Sequence, residues 1–116
     1  MTRPSCRHWV IGDVHGCYAS LLELLTVLPK RDHLVFCGDV IDRGPNIEAS
    51  MHLVWDLTQS GRATWLRGNH EQALIDALQQ SSTSSDVLLH QDTYRQLGDG
   101  VCRQWLHRLN QLPLMY

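Results

Sequence analysis

The chain has 116 residues, room for one domain at most. Apolar residues make up 43%, charged residues 19%, and the formal net charge is −2. That balance excludes the basic stripe of a nucleic-acid binder and the acidic block of a disordered tail, and no apolar run is long enough for a signal-peptide core or a membrane span. The four cysteines, Cys6, Cys17, Cys37 and Cys102, form no C-x-x-C pair. This argues against a zinc knuckle, a redox motif or a disulfide scaffold, and for free thiols in a cytoplasmic chain.

Three short apolar runs each end in a Gly-containing polar cluster. His8 to Ile11 runs into Gly12-Asp13, His33 to Cys37 into Gly38-Asp39, and Ala63 to Leu66 into Gly68-Asn69. Runs of this length suit strands buried on both faces, as in a parallel sheet. Between the first two, Tyr18, Leu21, Leu22, Leu25 and Leu28 follow helical spacing until Pro29 stops it. Asn46 is placed to cap a second helix whose inner face is Ile47, Met51, Val54 and Thr58, with Gly61 at its end. A third helix is expected from about His70 to Gln79. The first 80 residues therefore read β-α-β-α-β-α, an α/β fold with right-handed crossovers.

From Gln79 a polar, low-complexity loop is expected through Ser85, and Gly98 and Gly100 interrupt the stretch that follows. Val101, Trp105, Leu109 and Leu112 mark a last amphipathic helix ended by Pro113, and Leu114-Met115-Tyr116 resembles the start of a fourth strand. The tryptophans Trp9, Trp55, Trp65 and Trp105 read as packing residues, and His8, His33, His52, His90 and His107 belong to no motif.

In an open α/β sheet, ligands bind at the carboxyl ends of the strands, where all three polar clusters fall. Asp13 and His15 are two apart, which in extended backbone puts a carboxylate and an imidazole on one side, half of a transition-metal site. Asp39 and Asn69 can add oxygen ligands from neighbouring strand ends, with Asp39 central enough to bridge two ions. The flanking glycines permit tight turns and close backbone approach to an anion. Glu71 reads as a favourable charge in a first helical turn.

The clusters Gly12-Asp13-Val14-His15-Gly16, Gly38-Asp39-Val40-Ile41-Asp42-Arg43-Gly44 and Gly68-Asn69-His70-Glu71 resemble the GDxHG, GDxxDRG and GNHE motifs of the calcineurin-like metallophosphoesterases. Within that family they are most similar to the phosphoprotein phosphatase branch, which includes bacterial serine/threonine phosphatases. The likeness spans residues 9–79. It implies the N-terminal half of an αββα sandwich, so that residues 1–116 make an incomplete metallophosphoesterase domain. It implies two divalent metal ions, with manganese first and iron or zinc as alternatives. Asp13 and His15 would hold one ion, Asp39 would bridge, and Asn69 would hold the other. A hydroxide between the metals would be the nucleophile, Arg43 would clamp phosphate oxygens, and His70, oriented by Asp42, would protonate the leaving group.

The family's later histidines and second arginine have no match here, so the second metal is under-ligated and the sheet half-built. The chain alone is then expected to be inactive or weakly active. The substrate implied is a phosphorylated protein or small phosphoester, with no nucleic-acid polymer and no membrane partner. One alternative is a dinucleoside polyphosphate (diadenosine tetraphosphate) hydrolase of the same fold; Asp42 before Arg43 and Glu71 after His70 favour the phosphatase. The other is a truncated, inactive metal-binding fragment.

Overall fold

The computed structural model describes residues 7–79 and 91–114. Strands β1 (His8–Ile11), β2 (His33–Phe36) and β3 (Ala63–Trp65) pair in parallel in the order β1-β2-β3. Helices α1 (Tyr18–Val27) and α2 (Ile47–Gln59) connect them, and α3 (Asn69–Gln79) leaves β3 directly. Two further helices follow, α4 (Asp92–Leu97) and α5 (Asp99–Asn110). Six elements, β1 to β3 and α1 to α3, thus end within one or two residues of the boundaries that periodicity and breakers set. Helix α4 was not anticipated: it is short, and Gly98 at φ 85° separates it from α5. Residues 80–85 of the expected polar loop lie outside the described residues.

The register aligns two faces of the sheet. Ile11, Phe36 and Trp65 stand level across one face, joined by Leu34 and Ala63, and all are buried. Helix α2 packs on β3, and Met51, Val54, Ile47 and Leu109 complete that core. Trp105 of α5 meets Trp65, Trp55 and His52 at ring-centroid distances of 6.5, 6.2 and 5.0 Å. Arg108 lies over Trp55 and Trp105, at 5.4 and 4.7 Å from the ring centres. The tryptophans are packing residues, as expected.

The other face differs from expectation. His8, Val10, His33, Val35 and Thr64 are all at least partly exposed, Val10 by 71%. The strands are buried on one face only, because both connecting helices leave this side uncovered among the described residues. Helix α1 also shows apolar surface: Leu21 and Leu28 are buried, but Leu22 is exposed.

Two boundary devices also differ in detail. Asn46 is the N-cap of α2 by position, yet its side chain makes no capping bond; its N–H instead donates to Gly16 O at 3.0 Å. At the far end, Arg67 N–H donates to Pro113 O at 2.7 Å, and Arg67 bridges Leu114 in parallel. The beginning of a fourth strand therefore lies beside β3, with Met115 and Tyr116 outside the described residues.

Candidate metal and phosphate site

The loops after β1, β2 and β3 meet at one end of the sheet. His15 N donates to Asp39 O at 2.9 Å and Gly16 N to Val40 O at 2.8 Å. Glycine makes this approach possible. A Cβ on Gly44 would stand 2.2 Å from the His15 carbonyl oxygen, and one on Gly38 would stand 2.3 Å from Gly68 Cα. The close approach that these glycines permit is between the loops themselves.

Backbone strain gathers at the same place. Asp13, His15, Asp39, Asp42 and Arg43 have positive φ, at 36°, 44°, 53°, 68° and 71°. Left-handed backbone costs a non-glycine residue about 1–3 kcal/mol and persists only where its surroundings hold it. Asp13 and His15 are consequently not in extended backbone. Strand β1 ends at Ile11, so the period-two argument for their common side does not apply.

Glu71 is a main part of what holds the second loop. Its carboxylate is fully buried. It accepts hydrogen bonds from Asp39 N at 2.7 Å, Val40 N at 2.8 Å, Ile41 N at 3.4 Å and Gly68 N at 2.8 Å. Burial pushes the carboxyl up from its ordinary range, against four donors that favour the anion. The reading of Glu71 as a helix-terminus charge missed this role. The signal for it was only the short distance in sequence from Gly68, which says nothing about the Asp39–Ile41 backbone.

Asp42 is 5% exposed and divides its two oxygens. Oδ2 faces His70 Nδ1 at 2.8 Å. Oδ1 accepts from Thr93 N at 2.9 Å and Thr93 Oγ1 at 2.7 Å. Asp92 accepts from Arg43 N at 2.9 Å through Oδ2. The Arg43 backbone holds down Asp92 below the usual carboxylate range, with a further contribution from Arg95. Thr93 and Asp92 begin α4, so the unanticipated helix is the element that supports the Asp42–Arg43 turn.

His15 Nδ1 faces Ile41 O at 3.0 Å. A carbonyl only accepts, so Nδ1 carries the proton and Nε2 keeps its lone pair. The His15 and His70 rings stand edge to face with centroids 4.8 Å apart. Donor atoms of His15, Asp39 and His70 all lie within 4.8 Å of one another. Two imidazoles and a carboxylate are a donor set suited to a divalent transition metal, so the residues present fit such an ion.

An opening of about 360 Å³ is lined by Asp42, Arg43, Asn69, His70, Ala73, Gln91 and Asp92. Arg43 is exposed, and its guanidinium has no hydrogen-bond partner among the described residues. Asn69 is exposed at the first position of α3. Asp13 is placed apart from this opening. It lines a separate cavity of about 140 Å³ with Ile11, Cys17, Ser20, Leu21 and Leu24, on the α1 side. Of the seven residues singled out from the sequence, Asp42, Arg43, Asn69 and His70 share the opening, His15 and Asp39 cluster with His70, and Asp13 is outside both groups.

The profile of the calcineurin-like phosphoesterases matches residues 6–113. The chain belongs to this family.

Among curated relatives, it is 40% identical over 85 residues to serine/threonine-protein phosphatase 1 of Salmonella typhimurium, covering 67% of this chain and 36% of that protein. It is 33% identical over 120 residues to the symmetrical bis(5'-nucleosyl)-tetraphosphatase of Ralstonia nicotianae, covering 98% of this chain and 39% of that protein. The crystal structure of a metallophosphoesterase from Sphaerobacter thermophilus superposes with a TM-score of 0.66 at 24% identity, over 95% of this chain and 42% of that one, and so shares the fold. The calcineurin-like phosphoesterase chain described here therefore spans about two-fifths of the length of the curated relatives it matches. Calcineurin-like phosphoesterases use divalent metal ions, and the His15–Asp39–His70 cluster is a candidate place for one. Among the described residues no helix is long and apolar enough to cross a membrane.

Proposed function

We propose that this chain supplies metal-binding, phosphate-binding and proton-donating groups of a phosphoester hydrolase whose substrates are phosphoserine and phosphothreonine in proteins. The observation that carries the reading is the Asp42–His70 pair on one opening with the exposed Arg43. Arg43 offers a planar fork of donors that suits two phosphate oxygens. Asp42 holds the His70 ring by Nδ1, so the proton for a departing alkoxide sits on Nε2. The buried face of Asp42, fastened by Thr93, keeps that pair from turning. Asp13, His15, Asp39 and Asn69 are the residues proposed to hold metal, preferably manganese, with iron or zinc as alternatives. Divalent ions, when bound, supply positive charge that binds the phosphoryl oxygens and acidifies water.

The phosphoprotein reading is favoured by the 40% identity to a protein named as a serine/threonine phosphatase. A second reading, cleavage of a dinucleoside tetraphosphate, draws on the likeness to the Ralstonia tetraphosphatase over nearly the whole chain.

The test is a side-by-side assay with Mn²⁺ on a phosphoserine peptide and on diadenosine tetraphosphate. Slow turnover is expected, because the residues proposed for the second ion are only Asp39 and Asn69. It should favour the phosphopeptide and be lost in Arg43→Ala and His70→Asn. Faster cleavage of the dinucleotide would transfer the assignment to the second reading. Turnover at roughly 1–10³ s⁻¹, the usual enzyme range, would overturn the view that the centre is only partly furnished.

A further inference from the structure

We propose that this chain carries a second anion site, away from the metal and phosphate opening, which takes a tetrahedral dianion of the phosphate class, free or carried on a protein side chain. The site is the cleft between the α1–β2 and α2–β3 turns, at the amino ends of β2 and β3. The opening lies past the carboxyl ends of the strands, so the two sites occupy opposite ends of the sheet.

Three observations carry it. First, the cleft has room. Its volume is about 320 Å³, and Lys30, Arg31, Asp32, Ser60, Gly61 and Arg62 line it. Small-ligand sites run from about 300 to 1,000 Å³, so a single phosphoryl group and its carrier fit the lower end.

Second, its positive charge is not cancelled within the protein. Lys30 and Arg31 are exposed, and neither they nor Arg62 join an ion pair among the described residues. The one carboxylate in the lining, Asp32, is 2% exposed and is turned to Trp9 Nε1 at 2.8 Å and Arg7 N at 3.1 Å. Those two bonds hold its carboxyl low, and the charges of Arg31 and Arg7 add to the effect, which places both guanidinium groups near this end. Helices α1 and α2 also end here, and each C-terminus is equivalent to about half a negative charge. Asp32 and the helix ends together offset about two of the four positive charges on Arg7, Lys30, Arg31 and Arg62. The excess, about +2, complements a phosphate dianion, although the chain as a whole carries −2.

Third, Arg62 is already set in place. Its Nε donates to Asp32 O and its Nη2 to Pro29 O, each at 3.2 Å. These bonds fix the guanidinium across the α1–β2 turn and leave Nη1 without a partner among the described residues. A planar fork held in this way loses little freedom when it meets an oxyanion. Complementing carbonyls at the end of α1 accounts for Arg62, but Lys30 and Arg31 make no such bond among the described residues.

The experiment is a titration of the whole ¹⁵N-labelled chain in EDTA, with no added metal and at constant ionic strength, by inorganic phosphate and by a phosphoserine peptide. Backbone amide shifts are the readout. Saturable shifts are expected at Arg31, Ser60, Gly61 and Arg62, and they should persist in Arg43→Ala, which removes the cation of the opening. The double variant Lys30→Gln/Arg31→Gln should weaken phosphate binding about fivefold or more, and Arg62→Lys, which keeps the charge and loses the fork, about threefold. Arg103→Gln, whose cation is paired with Asp99, should leave affinity within about twofold. The dispersion of the amide spectrum checks the fold of each variant. If Arg62→Lys does not fold, the double variant, whose substitutions are both at exposed positions, decides alone. Peptide binding about tenfold tighter than phosphate binding assigns the site to a phosphorylated protein, and equal or weaker binding assigns it to the free anion. Shifts reproduced by chloride at the same ionic strength would overturn the inference, as would shifts that do not saturate in the millimolar range or that are unchanged in the double variant. Neither metal nor turnover enters these measurements, so the result stands apart from the phosphatase proposal.

Discussion

Asp42 and Thr93, 51 residues apart, are locked by a reciprocal pair of hydrogen bonds: Thr93 Oγ1 donates to Asp42 Oδ1 at 2.7 Å, and Asp42 N donates to Thr93 Oγ1 at 3.0 Å. Thr93 is fully buried, so no water can replace it. Its role is to leave only Oδ2 of Asp42 for His70.

Thr93→Val removes the hydroxyl at nearly constant volume. The Asp42 carboxylate then loses one donor and the Asp42 N–H loses its acceptor, at a cost of about 1–3 kcal/mol. The His70 Nδ1 proton, now held by a less constrained acceptor, should exchange with water faster in NMR spectra. Thr93→Ser should restore slow exchange. An unchanged exchange rate in the valine variant would show that α4 does not position the Asp42–His70 pair.

Glu71→Gln addresses the clamp on the second loop. The amide keeps one oxygen, while its NH₂ group must face N–H donors that Glu71 now satisfies in pairs. The expected loss is about 2 kcal/mol, or roughly 8–16 °C in melting temperature for a domain of this size. The amides of Asp39, Val40 and Ile41 should also lose protection from hydrogen exchange. A melting temperature within a degree or two of the parent, with protection retained, would remove Glu71 as the clamp.

Asp32 supplies a pH-dependent term far from the site. Its carboxylate accepts from Trp9 Nε1 at 2.8 Å and Arg7 N at 3.1 Å. The bond from the Trp9 side chain, then that from the Arg7 backbone, holds the carboxyl below its ordinary value of 3.8. A carboxyl lower in the folded than in the unfolded state stabilises fully above the unfolded value, and that stabilisation is lost as pH falls through the folded value. Asp32→Asn should therefore melt lower than the parent at pH 7 and pH 5, and the gap should close below pH 3.8. A gap that is the same at pH 7 and pH 2.5 would assign the effect to packing instead.

What the sequence determined by itself is local and periodic. Apolar runs of four, helical spacing of leucines, and breakers such as Pro29 and Gly61 specify β1, α1, β2, α2, β3 and α3, because backbone propensity and side-chain period act over neighbouring residues. The same holds for the family: the motif residues are contiguous, and their types carry the resemblance that the profile match bears out. What only the tertiary structure decided lies between segments. The exposure of Val10 depends on which side the helices occupy, not on β1 itself. The turn at Asp13 to His15 has positive φ values in a loop that the neighbouring one fastens through His15 N and Gly16 N. Glu71 and Thr93 act on backbone and carboxylate groups about 30 and 51 residues away, and no local pattern records such a partner. Hydrogen bonds of that span arise only when the loops after three strands are brought to one end of the sheet. The residue types at this site were therefore legible in advance, while their grouping around the opening, the buried clamp and its support came from the packing.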